Sequence, residues 1–173
     1  MRSDRVVVIG GGLAGCEAAF RLANMNVPVE LVEMRPAKTT AAHKTGYLGE
    51  LVCSNSLKSE DINTAQGVLK REMRKLNSLI LMAADRCRVP AGSALAVDRD
   101  LLGRTVTEII TGHPLIQVTI KEMKDLPESG ITVVASGPLT SDALSASIAR
   151  LTGEEHLYFF DAVAPIIDRK SVV

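Results

Sequence analysis

The 173-residue chain is 46% hydrophobic and 23% charged, which is the composition of an ordinary globular domain and excludes a disordered chain. No uncharged apolar run approaches the ~18 residues of a membrane helix. Formal net charge is zero, but residues 35–88 hold ten Lys/Arg against five Asp/Glu. Three widely spaced cysteines without CxxC spacing argue against a metal site or a disulfide framework. We therefore expect a cytoplasmic protein with reduced thiols, no signal peptide and no membrane segment.

The chain opens with a strand, a glycine turn, a helix and a second strand. Residues 5–9 form an apolar, β-branched run that is typical of a buried parallel strand. The turn over 10–15 leads into a helix predicted for 13–25, and a second strand is predicted for 29–33. This order is a βαβ unit, so the predicted fold class is α/β.

A long polar stretch over 36–60 follows, and loops of that length are uncommon unless they are functional. A single helix is predicted over 65–85, with an apolar face made of Leu69, Met73, Leu76, Ile80 and Ala83. The remaining predicted elements are a helix over 99–111, strands over 115–121 and 131–135, a helix over 142–151 and an extended apolar segment over 157–167.

The glycine turn fits the GxGxxG dinucleotide fingerprint. Its members are Gly10, Gly11, Gly12, Leu13, Ala14 and Gly15. It follows a predicted strand, opens a predicted helix and has Glu33 at the end of the next strand, the context that separates a fingerprint from a structural glycine turn. The pyrophosphate would approach Gly12 and the helix N-terminus, and Glu33 would accept hydrogen bonds from the ribose. A carboxylate at this position disfavours the 2′-phosphate of NADP.

The fingerprint alone does not separate FAD from NAD. A second buried strand runs into Ser136-Gly137, which resembles the second glycine motif of two-dinucleotide-binding flavoproteins. We therefore expect a Rossmann-like domain of that type, with Gly137 close to FAD. Asn26 precedes the second strand where glycine is usual, and asparagine is the next-best residue for a left-handed backbone.

Longer stretches resemble the folate- and FAD-dependent tRNA (uracil-5-)-methyltransferase family, often written TrmFO. The matching segments are VVVIGGGLAGCEAAFRLA, HKTGYLGELVCSNSLKSE, GVLKREM, RVPAGSALAVDRDLL, ASGPLTSDAL and LYFFDAVAPIID. The tRNA uridine carboxymethylaminomethyl-modification flavoproteins share the start, but their next loop has a methionine-cysteine-asparagine-proline type of sequence that is absent here. That family ranks second.

The resemblance implies methylation of the T-loop uridine of tRNA to ribothymidine. Methylenetetrahydrofolate would donate the one-carbon unit, and FAD reduced by NAD(P)H would act as carrier and reductant. Uracil C5 is a poor nucleophile until a thiolate adds at C6, and the base must leave the tRNA stack. Cys53 matches the family's loop cysteine, and the resemblance allows it either role, nucleophile or base.

Other residues admit two interpretations each. Lys58 or His43 could favour the Cys53 thiolate, and His43 and Asn55 could contact flavin or folate or simply cap the loop. Cys16 and Cys87 are predicted to be structural, and Asp98 is predicted to be a helix N-cap. A basic cluster is either a solvated helix face or a tRNA phosphate contact, and it comprises Lys70, Arg71, Arg74 and Lys75.

Members of the family are much longer than this chain. We therefore expect residues 1–173 to form an incomplete FAD-binding domain that lacks the second, tRNA-binding domain and the second cysteine. Its expected parts are the βαβ fingerprint over 1–35, the active-site loop over 36–64 and the further helices and strands over 65–173. A further chain segment would have to supply the missing half, and without it the chain would be a non-catalytic FAD-binding fragment.

Overall fold

The computed structural model describes residues 5–40 and 42–153. In chain order, its elements are β1 (Val6–Ile9), α1 (Leu13–Asn24), β2 (Val29–Glu33), β3 (Ser56–Ser59), α2 (Ala65–Lys75), α3 (Leu79–Arg86), β4 (Arg88–Val89), β5 (Ala94–Val97), α4 (Arg99–Thr111), β6 (Ile116–Ile120), β7 (Thr132–Val134), a 3-10 turn (Gly137–Leu139) and α5 (Asp142–Thr152). None of these helices is long and apolar enough to cross a membrane.

Four parallel strands form the larger sheet, in the order β6-β2-β1-β7. Val8 lies at its centre, paired with Leu31 on one side and Val133 on the other. Val8 and Leu31 are fully buried, as expected for strands covered by other elements. The α/β, Rossmann-like fold class predicted from the sequence is confirmed.

Helices α1, α3 and α4 pack together beside this sheet. On α1, small residues line the buried face, and Cys16, Ala19 and Ala23 recur at the three- and four-residue spacing of a helix. On α4, the larger side chains of Leu102, Val106 and Ile110 recur every four residues and form the buried face. Small side chains on α1 let its backbone approach the sheet closely, which holds the start of this helix against the end of β1.

A second, three-stranded antiparallel sheet has the order β3-β5-β4, and the sequence did not predict it. Its strands contain only four, four and two residues, too few for a clear alternation of apolar and polar side chains. The long polar stretch predicted over 36–60 therefore ends in a strand, β3. Leu95 and Val97 of β5 are buried in the common core.

The prediction of one helix over 65–85 is wrong, because the chain breaks between α2 and α3. Asn77 adopts a left-handed backbone, with φ of 55°, and Ser78 caps α3 by accepting from the Leu81 N–H. The Glu17 carboxylate also accepts hydrogen bonds from the Ser78 hydroxyl and the Leu79 N–H. An Asn-Ser pair is a recognisable cap signal, but the continuous apolar pattern obscured it.

The predicted apolar face of that helix is also only partly buried. Ile80 and Ala83 lie in the core, whereas Leu69 and Leu76 are 56% and 60% exposed. The break after Lys75 rotates the second half of the pattern onto a different face.

The other described elements agree with the sequence within one or two residues at each end, and Asn26 has the expected positive φ of 62°. The apolar segment predicted over 157–167 lies outside the described residues.

Candidate functional site

At two positions of the glycine turn between β1 and α1, neighbouring backbone atoms leave no room for a larger residue. Gly10 has φ of +105°, and a Cβ there would lie 2.7 Å from the carbonyl oxygen of Ala135. A Cβ on Gly15 would overlap the carbonyl oxygen of Gly10. These two glycines let the start of α1 and the end of β7 close on the turn.

Gly12 differs, because a Cβ built on it would meet no atom within 4 Å. Gly12 is also the N-cap of α1, and it offers no side-chain cap to the free N–H groups of the first turn. The other four described helices have side-chain caps, which are Thr64, Ser78, Asp98 and Ser141. The first turn of α1 contains no acidic residue either. Open space therefore lies in front of an uncapped, partly positive helix end.

A cleft opens beyond the carboxyl ends of the parallel strands. Its lining includes Gly10 and Gly12 of the turn, Glu33 at the end of β2, Lys121 after β6 and Ser136 after β7. Ligands of open α/β sheets bind at this edge. The structure thus brings the predicted glycine loop and Glu33 together in one cleft.

Gly137, the other predicted cofactor contact, has φ of +65° and starts the 3-10 turn directly after Ser136. A Cβ on Gly137 would meet no atom within 4 Å, so the space around it is open.

Glu33 is buried, and its carboxylate accepts four hydrogen bonds. Oε2 accepts from the Gly11 N–H at 2.6 Å and from Nη2 of Arg35 at 3.3 Å. Oε1 accepts from the Arg35 backbone N–H at 2.9 Å and from its Nε at 3.0 Å. Burial alone would raise the pKa of this carboxyl, but the Arg35 and Gly11 hydrogen bonds outweigh it and hold the pKa below its ordinary value.

Arg35 also reaches Glu50, with its Nη1 donating to Oε2 at 3.1 Å. We call Glu33, Arg35 and Glu50 the inner cluster. The Arg35 residue is only 1% exposed, which makes it the largest fully buried side chain of the described residues. Sequence reasoning missed both Arg35 and Glu50. The available signal was the spacing Glu33-Met34-Arg35, which puts an arginine two residues after the predicted ribose ligand.

Glu50 in turn organises the loop that leads to Cys53. Oε1 accepts from the Lys44 N–H at 2.8 Å, and Oε2 accepts from the Thr45 N–H and hydroxyl at 3.2 and 2.8 Å. Burial raises the pKa of Glu50, but these hydrogen bonds lower it by more, so the pKa lies below its ordinary value. The same loop contacts the glycine turn through the Gly49 N–H, which donates to the Gly11 carbonyl at 2.8 Å.

The three cysteines differ sharply in their environments. Cys53 is exposed, whereas Cys16 and Cys87 are buried. Burial raises the pKa of Cys16 to about 12, and its thiol donates to the Gly11 carbonyl at 3.3 Å. At neutral pH, Cys16 is therefore a protonated packing group, as predicted. Cys87 lies 3.5 Å from the Thr105 hydroxyl, which fits its predicted structural role.

Of the remaining loop residues, only His43 lines the cleft. Its Nδ1 lies 2.7 Å from the Thr40 hydroxyl, and burial, followed by the charge of Arg35, lowers its pKa. Asn55 is exposed and its backbone carbonyl accepts from the Val97 N–H, which anchors β5. Lys58 is exposed, with φ of 68°. Asp98 caps α4 through the Leu101 N–H at 3.0 Å, as predicted.

In the predicted basic cluster, two residues bind groups of the protein itself and two are exposed to solvent. Lys70 is buried, and its ammonium donates to the carbonyls of Ser59 and Gln66. Arg74 pairs with Glu60 and Asp85, to which Arg88 also binds. We call Glu60, Arg74, Asp85 and Arg88 the outer cluster. Arg71 and Lys75 are exposed, so both interpretations of the cluster, solvated helix face and phosphate contact, remain open for these two residues.

Comparison with known proteins places this fold and site in a family. Residues 5–173 match the family model described as glucose inhibited division protein A. A methylenetetrahydrofolate--tRNA-(uracil-5-)-methyltransferase TrmFO from Syntrophomonas wolfei is 58% identical over 98% of this chain, and one from Desulforudis audaxviator is 56% identical over 98%. This chain spans 39% of the length of each of these relatives.

Among solved structures, Aquifex aeolicus GidA aligns with a TM-score of 0.57 at 19% identity, over 73% of this chain and 21% of that one. That likeness concerns the fold alone, and it agrees with the parallel sheet and the helices packed on it. The family match covers almost the whole sequence and includes the glycine turn, Glu33 and the Cys53 loop. The chain therefore belongs to the glucose inhibited division protein A family.

Proposed function

We propose that this chain binds FAD in the cleft at the carboxyl ends of the parallel strands. The observation that supports this most directly is the open space in front of Gly12 and the uncapped N-terminus of α1. A pyrophosphate fits there because it accepts hydrogen bonds from free N–H groups and is attracted by the helix dipole. The tight packing at Gly10 and Gly15 keeps the surrounding backbone in place.

The adenosine ribose would lie beside Glu33, whose carboxylate stays ionised at neutral pH and accepts hydrogen bonds from hydroxyl groups. A 2′-phosphate would meet a buried negative charge, so NADP is disfavoured at this position. Gly137, with open space around it, is the proposed contact further along the cofactor.

We further infer that the chain is the FAD-binding part of a tRNA (uracil-5-)-methyltransferase, the activity in the names of its 55–58% identical relatives. The acceptor would be the T-loop uridine of tRNA, methylenetetrahydrofolate the one-carbon donor and NAD(P)H the reductant. Bound FAD would supply one-carbon transfer and reducing equivalents.

Cys53 is the proposed catalytic residue of this chain. It is the exposed thiol of the described residues, and a thiolate is the group needed either to add at C6 of uracil or to remove a proton from C5. The exposed position leaves room for a base that has left the tRNA stack. Arg71 and Lys75 remain candidates for phosphate contacts, because both are exposed.

A second function follows from the length comparison, since the chain spans 39% of its relatives. The chain would then bind FAD without catalysis, and another polypeptide segment would have to supply the rest of the active site. Formation of ribothymidine in a tRNA transcript by the purified chain, with FAD, NADPH and methylenetetrahydrofolate, would support the first function. Bound FAD without ribothymidine would support the second.

The FAD site itself is tested with Gly12→Asp. Aspartate is a good N-cap and the backbone of Gly12, with φ of −74°, accepts it. We expect urea unfolding to show unchanged or slightly raised stability, because the new carboxylate caps α1. The FAD affinity, measured by fluorescence quenching, should fall at least about tenfold because the carboxylate occupies and repels the phosphate position. FAD binding that is unaffected by Gly12→Asp would overturn the proposed site.

A further inference from the structure

We infer that Arg35 is a positioning residue, which couples occupancy of the nucleotide cleft at Glu33 to the conformation of the loop that carries Cys53. This inference rests on the proposed FAD site. In the proposed FAD site, Arg35 contacts neither FAD nor tRNA. The inference gives the inner cluster a role in coupling two sites in addition to its role in stability.

The donors of Arg35 are divided between two carboxylates that belong to different parts of the site. Its backbone N–H, Nε and Nη2 donate to Glu33, and its Nη1 donates to Glu50. The side chain is almost completely buried, so water cannot replace a lost partner. A change at one carboxylate must therefore change what Arg35 offers to the other.

Glu50 passes that change to the backbone of the loop. Its two oxygens accept three hydrogen bonds from Lys44 and Thr45, and these fix the turn over 44–50. Cys53 lies three residues after Glu50, and it is the exposed member of the three cysteines. The position of Cys53 thus depends on a turn whose backbone N–H groups at residues 44 and 45 are held by the half-buried Glu50 carboxylate.

The Glu33 carboxylate has no acceptor position to spare for a ribose. Its four bonds fill the roughly four lone-pair positions of a carboxylate. The longest of them, at 3.3 Å, joins Oε2 to Nη2 of Arg35. A ribose hydroxyl would replace this bond and weaken the interaction of Arg35 with Glu33. Glu50 already accepts four hydrogen bonds, so no new bond forms there, but its existing bond from Nη1 of Arg35 would strengthen and hold the turn more firmly.

A second connection runs beside this one, from the Gly49 N–H to the Gly11 carbonyl. It joins the same loop to the glycine turn through backbone atoms only. Replacing Glu50 by glutamine therefore weakens the Arg35 connection, because the negative charge is lost, and leaves the backbone connection in place.

The test uses the full chain, ADP as the ligand and the rate of iodoacetamide labelling of Cys53, located by mass spectrometry. ADP carries the adenosine and pyrophosphate of FAD but lacks the isoalloxazine ring, which could cover Cys53 directly. Cys16 and Cys87 are buried, so labelling reports on the loop. We expect saturating ADP to slow Cys53 labelling about fivefold, at the low end of couplings between sites.

Glu50→Gln should label faster than the unchanged chain without ADP, and ADP should still bind to it without altering the rate. Glu60→Gln is the matched control, because Glu60, like Glu50, is paired with arginine, but it lies in the outer cluster. It should keep the ADP response.

Suppose that ADP binds to the unchanged chain, as measured by calorimetry, and the rate of Cys53 labelling stays the same. The proposed coupling is then wrong, while the proposed FAD site stands. An ADP response that survives in Glu50→Gln would assign the coupling to the Gly49–Gly11 connection and overturn the role of Arg35. If neither ADP nor FAD binds, the proposed function fails and the coupling fails with it.

Discussion

The inner and outer clusters contain the same chemical groups, arginine and carboxylate, but differ in their access to water. In the inner cluster the Arg35 side chain is 2% exposed and that of Glu50 is 11%. In the outer cluster the Arg74 side chain is 35% exposed and that of Arg88 is 46%. A buried charge depends on its partner, whereas an exposed one can turn to water. The inner cluster should therefore fix the geometry of the site, and the outer cluster should only support the packing around α2 and α3.

The largest expected effect is that of Arg35→Met. It leaves the buried Glu33 and the half-buried Glu50 without their cation, and breaking a buried pair costs about 3–5 kcal/mol of unfolding free energy. Urea unfolding followed by circular dichroism measures the loss. The double variant Glu33→Gln, Arg35→Met should recover part of it, because one of the stranded charges is gone. A loss below about 1 kcal/mol would place Arg35 with the exposed arginines instead.

Acidification should weaken both clusters. The pKa values of Glu33, Glu50 and Glu60 are lower in the folded chain than their ordinary value of 4.5. The folded chain therefore holds its carboxylates ionised more strongly than the unfolded chain does. The stability from this source is complete above about pH 4.5 and is lost as the pH falls through the lowered values.

Unfolding free energies measured between pH 7 and pH 3 test this prediction, with Glu33→Gln as the comparison. The variant should show a shallower decline, since one of the shifted groups is absent. A decline of unchanged slope would mean that Glu33 has the same pKa in the folded and unfolded chains.

Arg74→Met should have a smaller effect than Arg35→Met. Arg74 joins Glu60 to Asp85, but all three are partly solvated, and such pairs contribute about 1 kcal/mol or less. High salt should shrink the difference between the variant and the unchanged chain, because exposed charges are screened. A loss as large as that of Arg35→Met, insensitive to salt, would remove the distinction between the clusters.

Removing the two exposed charges of α2 should have the smallest effect on stability. Arg71→Ala together with Lys75→Ala should change the unfolding free energy by about 0.5 kcal/mol or less for each residue. If this surface contacts tRNA phosphates, the affinity for a tRNA transcript should nevertheless fall, and its salt dependence should become weaker. Unchanged tRNA binding in gel-shift titrations would leave the surface as a solvated helix face.

The parallel sheet and the glycine turn could be predicted because local sequence determines them. Apolar β-branched runs specify buried strands, and the spacing of Gly10, Gly12 and Gly15 specifies the turn wherever it occurs. The uncapped start of α1 is visible in the same way, since Gly12 stands where Thr64 or Ser78 begins another helix.

The place of Glu50 in the inner cluster could not be predicted, because it lies 15 residues from Arg35 and no periodicity relates them. The short strands of the second sheet were not predicted for a similar reason, since β3 and β5 pair across more than 30 intervening residues. On α2, the pattern predicted helical residues correctly but not the surroundings of Lys70. Lys70 is buried because two carbonyls accept from its ammonium, a compensation that only the folded chain reveals.

The most direct test of the central claim is a titration of the ¹⁵N-labelled chain with FAD, followed by amide chemical shifts. The uncapped N-terminus of α1 should respond most, with the largest shifts at the N–H groups of Leu13, Ala14 and Gly15. The Leu101 N–H, capped by Asp98 on α4, is the internal reference and should move little. Shifts concentrated at capped helix starts, or none at Leu13–Gly15 under saturating FAD, would contradict a pyrophosphate site at this helix.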